Sequence, residues 1–257
     1  MGIGGAVVLL ILSLIFGRNF FSGGGAPSGS VSQEQPANAP PASETPEEHQ
    51  ASEFVVFVVN DVQSTWDRLL TEQGNAQYTH TKLVFFRDTT QSGCGFAQSA
   101  SGPFYCPVDQ KVYLDLAFFD ELRRRFKAPG DFAQAYVIAH EVGHHVQKLL
   151  GIEPRVHEAM ERDPDRANEY SVRLELQADC LAGVWGHSTQ ERRLLDPDDI
   201  DEGLAAASAV GDDRLQRSAG RAVNPESWTH GSARDRAAWF RRGFDSGRIS
   251  DCDTFNR

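Results

Sequence analysis

The sequence predicts an α+β protein in which a small sheet comes first, a mainly helical part follows, and an apolar membrane anchor precedes both. Three observations predict it. Short β-branched and aromatic runs crowd residues 54–116, helical apolar periodicity dominates from residue 118 onward, and an uncharged apolar run occupies Ile3 to Phe16. Hydrophobic content of 40% and charged content of 24% over 257 residues are ordinary for a globular chain, which excludes collagen, coiled-coil and wholly disordered classes. A net charge of -11 with no long run of Lys or Arg repels phosphate, so no nucleic acid partner is expected.

The N-terminal apolar run is extended by Phe20 and Phe21 beyond Arg18. A membrane span needs roughly 20 such residues and a cleavable signal core only about 7 to 15. The run falls between these, but no small-x-small cleavage pattern follows promptly, so residues 1–22 are expected to be a transmembrane anchor or signal-anchor. Residues 23–52 are rich in Gly, Pro, Ser, Ala, Gln and Glu with no apolar periodicity, the composition of a disordered linker. Residues 53–257 then form the folded domain. Its four cysteines, Cys94, Cys106, Cys180 and Cys252, suit an oxidising compartment. The expected localisation is therefore the cell membrane, single-pass, with the domain on the extracytoplasmic side. Three cysteine pairings are possible. The preferred one joins Cys94 to Cys106, closing a short hairpin-like segment, and Cys180 to Cys252, pinning the C-terminus to a helix.

Within the domain, Phe54 to Val59 reads as a strand and Asp61 as the cap of a helix reaching Gln73. Lys82 to Phe86 and Lys111 to Leu116 read as further strands around a turn-rich Gly, Ser and Cys segment. The second of these is expected to offer a sheet edge to which an extended peptide adds. Helical periodicity begins at Phe118 and breaks at Pro129-Gly130; Asp131 is the expected N-cap of a helix running to about Leu150, stopped by Gly151. Later helices are expected over Ala167 to His187, from Asp198 or Asp199, and over Ser232 to Phe244.

The helix after Asp131 carries His140, Glu141, Val142, Gly143 and His144, an H-E-x-x-H pattern. Histidines four apart share one helical face, where both imidazoles reach one ion. Glu141 projects about 100° around the axis and reaches a water on the ion's open side, the place of a general base. Gly143 permits close approach of another helix. A catalytic zinc site takes three protein ligands, and Glu175-Leu176-Gln177-Ala178-Asp179 supplies the third: Glu175 as ligand, with Asp179 on the same face orienting a ligand histidine from behind. His145 points off the metal face, to a supporting or surface role, and Cys180 is read as a disulfide rather than a ligand. The acidic residues of Asp196 to Asp201 and Asp212-Asp213 lack the Gly and terminal Glu of a calcium loop and read as helix caps. Arg234, Arg236, Arg241 and Arg242 read as partners of internal carboxylates.

The segments Thr90 to Gly95, Gly102 to Pro107, Asp131 to Gln147, Arg173 to Ala182 and Thr229 to Ser232 resemble the bacterial neutral zinc metallopeptidases of the YpfJ type. The pairing of H-E-x-x-H with a later E-x-x-x-D is also similar to the gluzincins. The resemblance implies a zincin-like metallopeptidase domain, one Zn2+ ion per chain held by His140, His144 and Glu175, and a peptide or unfolded-protein substrate. In membrane-associated relatives of that class a Thr-His dipeptide precedes an Arg-containing helix. Thr229-His230 before Arg234 and Arg236 looks like it, which implies that His230 faces the site.

The expected chemistry is peptide hydrolysis by a zinc-activated water with Glu141 as general base. His230 is the candidate oxyanion donor, with Tyr170 behind it. Two alternatives are a tethered zinc-containing binding or scaffold protein without peptidase activity, and a metal-dependent amidase acting on cell-wall material.

Overall fold

Helix α1, Pro46–Leu69, opens on a capping box: Thr45 Oγ1 accepts from the Glu48 N–H at 3.2 Å and the Glu48 carboxylate accepts from the Thr45 N–H at 2.8 Å, with Pro46 in the first turn. The computed structural model describes residues 45–74, 76–98, 102–115, 117–118 and 130–256. The expected anchor, most of the expected linker and the helical stretch after Phe118 lie outside the described residues, among which no helix is long and apolar enough to cross a membrane. Residues 46–52, expected in the linker, are helical.

The run Phe54 to Val59, expected as a strand, is the middle of α1. Val55, Val58, Val59, Val62 and Trp66 are buried at helical spacing. A β-branched residue costs a helix about 0.5 kcal/mol, whereas burying each valine is worth roughly 1.5–3 kcal/mol, so packing overrides propensity. Asp61 lies inside the helix rather than at its cap, accepting from Trp185 Nε1 at 2.8 Å and pairing with Arg192. The helix continues as a single π-turn, Leu70–Gly74.

Five short strands follow: β1 (Lys82–Phe86), β2 (Thr89–Ser92), β3 (Gly95–Gln98), β4 (Phe104–Cys106) and β5 (Lys111–Asp115). β2 and β3 form a separate antiparallel hairpin; the three-stranded sheet has the order β1-β5-β4, parallel then antiparallel. The Cys94–Cys106 disulfide ties the turn of the hairpin to β4, as the spacing suggested. β5 is paired on both sides, which corrects the expectation that Lys111 to Leu116 is a sheet edge. Four of its five residues are buried, so the most buried strand takes the centre, while the more apolar β1 and the short β4 take the edges.

The helical part comprises α2 (Asp131–Leu149), α3 (Ile152–Arg162), α4 (Ala167–Glu191), α5 (Asp199–Ala209), α6 (Asp212–Ser218) and α7 (Ala233–Ser246). The N-cap of α2 is Gly130, so Asp131 occupies the first turn instead of the cap, where its charge still favours the helix N-terminus. Two backbone approaches set the helix packing. A Cβ on Gly143 of α2 would lie 3.1 Å from the Ala178 carbonyl oxygen of α4. Cβ atoms on Gly183 of α4 and Gly243 of α7 would lie 2.1 Å and 1.9 Å from opposing carbonyl oxygens, so only glycine lets these helices cross at that depth. The Cys180–Cys252 disulfide then fixes the segment after α7 to α4. The mixed α+β architecture is thus mostly helical, with small sheets set beside α2.

Candidate metal centre

The face of α2 turned toward α4 carries Tyr136, His140 and His144, and α4 answers with Glu175 and Asp179. One nitrogen from each imidazole and one Glu175 oxygen lie within 4.8 Å of one another. His140 Nε2 is 3.2 Å from Glu175 Oε2, and His144 Nε2 is 3.5 Å from Glu175 Oε1. A tetrahedral zinc with bonds of about 2.0–2.1 Å requires ligand atoms roughly 3.3 Å apart, so this donor set fits the ion. The opposite nitrogens are engaged from behind. His140 Nδ1 lies 2.8 Å from Asp179 Oδ1, and His144 Nδ1 lies 2.9 Å from Gln147 Oε1. Carboxylate and amide oxygens only accept here, so each ring donates Nδ1–H and turns Nε2 toward Glu175.

Electrostatics agree. Burial alone would oppose charge on His140, but Asp179 and Glu175 pull its pKa up to about 10; His144 is likewise raised against burial by Glu175. Burial would push the Glu175 carboxyl up, yet His144 and His140, with His230 behind them, hold it well below the usual range. The pocket is therefore built to hold a cation at the two Nε2 atoms, a proton without metal or the metal itself.

Asp179 is fully buried and doubly braced. Arg236 Nε reaches Asp179 Oδ2 at 2.8 Å and its terminal nitrogen reaches Oδ1 at 2.9 Å, while the Tyr136 hydroxyl donates to Oδ1. Burial would raise this carboxyl, but Arg236 and His140 hold it down. Arg236 is also 3.7 Å from Glu175 Oε2. Of the C-terminal arginines expected to pair internally, Arg236 is the one that reaches the site, because the glycine contact between α4 and α7 brings its side chain inside.

Glu141 and His144 keep partial exposure whereas His140, Glu175 and Asp179 are buried, so the opening lies on the Glu141 and His144 side. Burial raises the Glu141 carboxyl, partly offset by the two imidazoles and by the Tyr105 N–H of β4. His230, in the loop before α7, is buried near enough to act electrostatically on Glu175. Its loop is clamped by Asp212, whose Oδ2 accepts the backbone N–H groups of Thr229, His230 and Gly231 at 2.9, 2.7 and 3.0 Å, while Oδ1 lies 3.1 Å from His230 Nδ1.

Tyr170 packs with Val156, Met160 and Leu174 under Arg166, whose guanidinium carbon is 5.0 Å above the ring. Of the two places expected for His145, supporting or surface, the surface one is excluded: it is fully buried, bonded to the Tyr105 hydroxyl at 2.9 Å and the Thr79 carbonyl at 2.6 Å. Asp131, Asp199 and Glu202 also gather at the start of α2. There Glu202 accepts the Phe132 N–H and Asp199 the Asp196 N–H, which is capping of helix starts. Tyr136, Gln147 and the role of Arg236 were not singled out in the sequence, although Tyr136 lies four before His140 and Gln147 three after His144, both on the ligand face; Asp212, read as a helix cap, starts α6 but its buried carboxylate holds the His230 loop.

A family model described as "Putative neutral zinc metallopeptidase" matches residues 1–255. The chain is 47% identical over 255 residues to the uncharacterised protein YpfJ of Escherichia coli K12, covering 98% of this chain and 87% of that protein. It is 44% identical over 213 residues to uncharacterised proteins of Mycobacterium bovis and Mycobacterium tuberculosis, covering 79% of this chain and 70% of each relative. No solved structure matches.

Proposed function

From the premise that the chain belongs to the neutral zinc metallopeptidase family, we propose that it is a membrane-anchored zinc-dependent endopeptidase of zincin-like fold acting on peptides or unfolded protein. The observation that carries this reading is the spacing of His140, His144 and Glu175, with both imidazoles held from behind. Zinc, when bound, supplies a Lewis acid that lowers the pKa of water toward about 7 and polarises a peptide carbonyl.

The chain's own groups do the rest. Glu141, at the open side, takes a proton from the attacking water and delivers it to the departing amine; its burial-raised pKa brings it nearer the working pH. Asp179 keeps His140 in the Nδ1–H tautomer, and Arg236 keeps Asp179 ionised and aimed. His230, oriented by Asp212, supplies a donor to the developing oxyanion. β4 is the sheet edge whose Tyr105 N–H reaches Glu141, so an extended peptide aligns beside β4 in place of the β5 edge first expected.

The purified protein should carry close to one zinc per chain. Glu141→Gln should keep that zinc while cleavage of an unfolded protein falls by about 10²–10⁴-fold. Loss of zinc from this variant with cleavage intact would reverse the roles assigned.

A further inference from the structure

His140 and His144 have different supports. Asp179 is a charged acceptor that cannot present a donor to His140 while it is ionised. Gln147 is a neutral amide, and a half-turn of its terminal group would present NH2 instead of oxygen to His144. Something must hold the oxygen toward the ring.

Three carbonyl oxygens do so. Gln147 Nε2 donates to the Leu174 carbonyl at 2.7 Å and to Gln177 Oε1 at 3.1 Å, and Gln177 Nε2 donates to the Cys252 carbonyl at 2.9 Å. The Leu174 and Cys252 carbonyls are main-chain groups that only accept. Each amide therefore has one orientation that satisfies all its partners, and that orientation leaves Gln147 Oε1 on His144 Nδ1. Gln147 is fully buried, with Gln177 and Cys252 at 5% and 1% exposure, so water does not replace a lost partner. The relay ends on a residue bonded covalently to Cys180, the neighbour of Asp179. The C-terminal disulfide thus anchors the support of both ligand histidines.

We propose that Gln147 is the positioning residue for His144, and that the amide relay through Gln177 makes the Cys180–Cys252 disulfide part of the metal centre. The inference rests on the reading of His140, His144 and Glu175 as a zinc site. Supporting partners of metal-bound histidines typically change affinity by about 10–100-fold. Gln177 acts one step further out, and Leu174 continues to restrain Gln147 without it, so its loss has a smaller effect.

The test is the zinc dissociation constant of the full chain by competition with a chromophoric chelator, without substrate, together with the visible spectrum of the cobalt-substituted protein. Gln147→Met should weaken zinc by about 10–100-fold and shift the cobalt bands. Gln177→Met should weaken zinc by a smaller factor. Cys180→Ala/Cys252→Ala should match Gln177→Met, and combining the two should add little, because both act through the Cys252 carbonyl. Wild-type affinity and cobalt spectrum in folded Gln147→Met, or fully additive Gln177 and disulfide effects, would overturn the proposal. Should Gln147→Met not fold, Gln177→Met and the disulfide variant decide on the same affinity scale. A wild-type chain that takes up no zinc removes the metallopeptidase reading as well, whereas zinc-loaded wild type with an indifferent Gln147→Met sinks the relay alone.

Discussion

His140 shows how sequence becomes chemistry at the residue scale. Its Nδ1 is held by Asp179 and its Nε2 faces Glu175, so the metal-free ring stays protonated until its pKa of about 10 is passed, against an ordinary 6.5. A raised histidine pKa stabilises the metal-free fold fully below 6.5, and that contribution disappears as pH rises through about 10. Zinc must displace the proton, so calorimetry in buffers of different ionisation enthalpy should show proton release at neutral pH, and affinity should climb with pH up to that pKa. Pairs of buried charges behave differently. Arg236→Met takes one of two cationic partners from the buried Asp179, leaving His140 and the Tyr136 hydroxyl, and should cost up to about 3–5 kcal/mol in denaturant unfolding. His140, Glu141, His144, Glu175 and Asp179 were legible because helical period alone puts them on facing stripes. The roles of Arg236 and Asp212 were not, since Arg236 pairs with Asp179 on another helix and Asp212 with the Thr229 to Gly231 loop, and only the tertiary fold brings these together.

At the scale of elements, depth of approach decides where side chains end. Gly243 of α7 faces the Cys180 carbonyl across the α4 contact, and its Cβ would sit 1.9 Å from that oxygen. Gly243→Ala should therefore destabilise by more than the roughly 1 kcal/mol that alanine would add to an exposed helix, about 1–3 kcal/mol net. It should also lower zinc affinity by pushing Arg236 away from Asp179; a Tm loss without any change in zinc binding would separate the helix contact from the site. Of the helices of the second half, α2, α4, α5 and α7 were legible to within a few residues, because periodicity is strong there, whereas the short α3 and α6 were not expected: Gly151 reads as a stop and Asp212-Asp213 as a cap or polar turn, although each opens another helix. α1 was misread: a valine run looks like a strand when local propensity is weighed alone, and its N-terminal capping box sits in a stretch whose Pro and Glu content reads as linker. The exposed Val56 and Phe57 blurred the helical stripe further.

Over the whole molecule, two disulfides divide the labour. Cys94–Cys106 closes 12 residues and Cys180–Cys252 closes 72. On chain entropy these contribute about 3 and about 4 kcal/mol respectively. Removing Cys180–Cys252 should lower Tm more than removing Cys94–Cys106, and only the former should also weaken zinc. Both pairings are the ones preferred among the three that the sequence leaves open, the first because it closes a turn-rich segment and the second because it joins the site helix to the C-terminal segment. The position of β5 was not legible, since composition would favour the more apolar β1 for the centre and strand order is set by how the sheet packs rather than by one run's apolar content.

The convergence of His140, His144 and Glu175 on one ion is tested most directly by diffraction from crystals of the zinc-loaded protein on either side of the zinc absorption edge. One anomalous peak per chain, bonded to both Nε2 atoms and the Glu175 carboxylate with Glu141 beside it but unbonded, is the expected result. A peak held by other residues, or none between α2 and α4, would contradict the account.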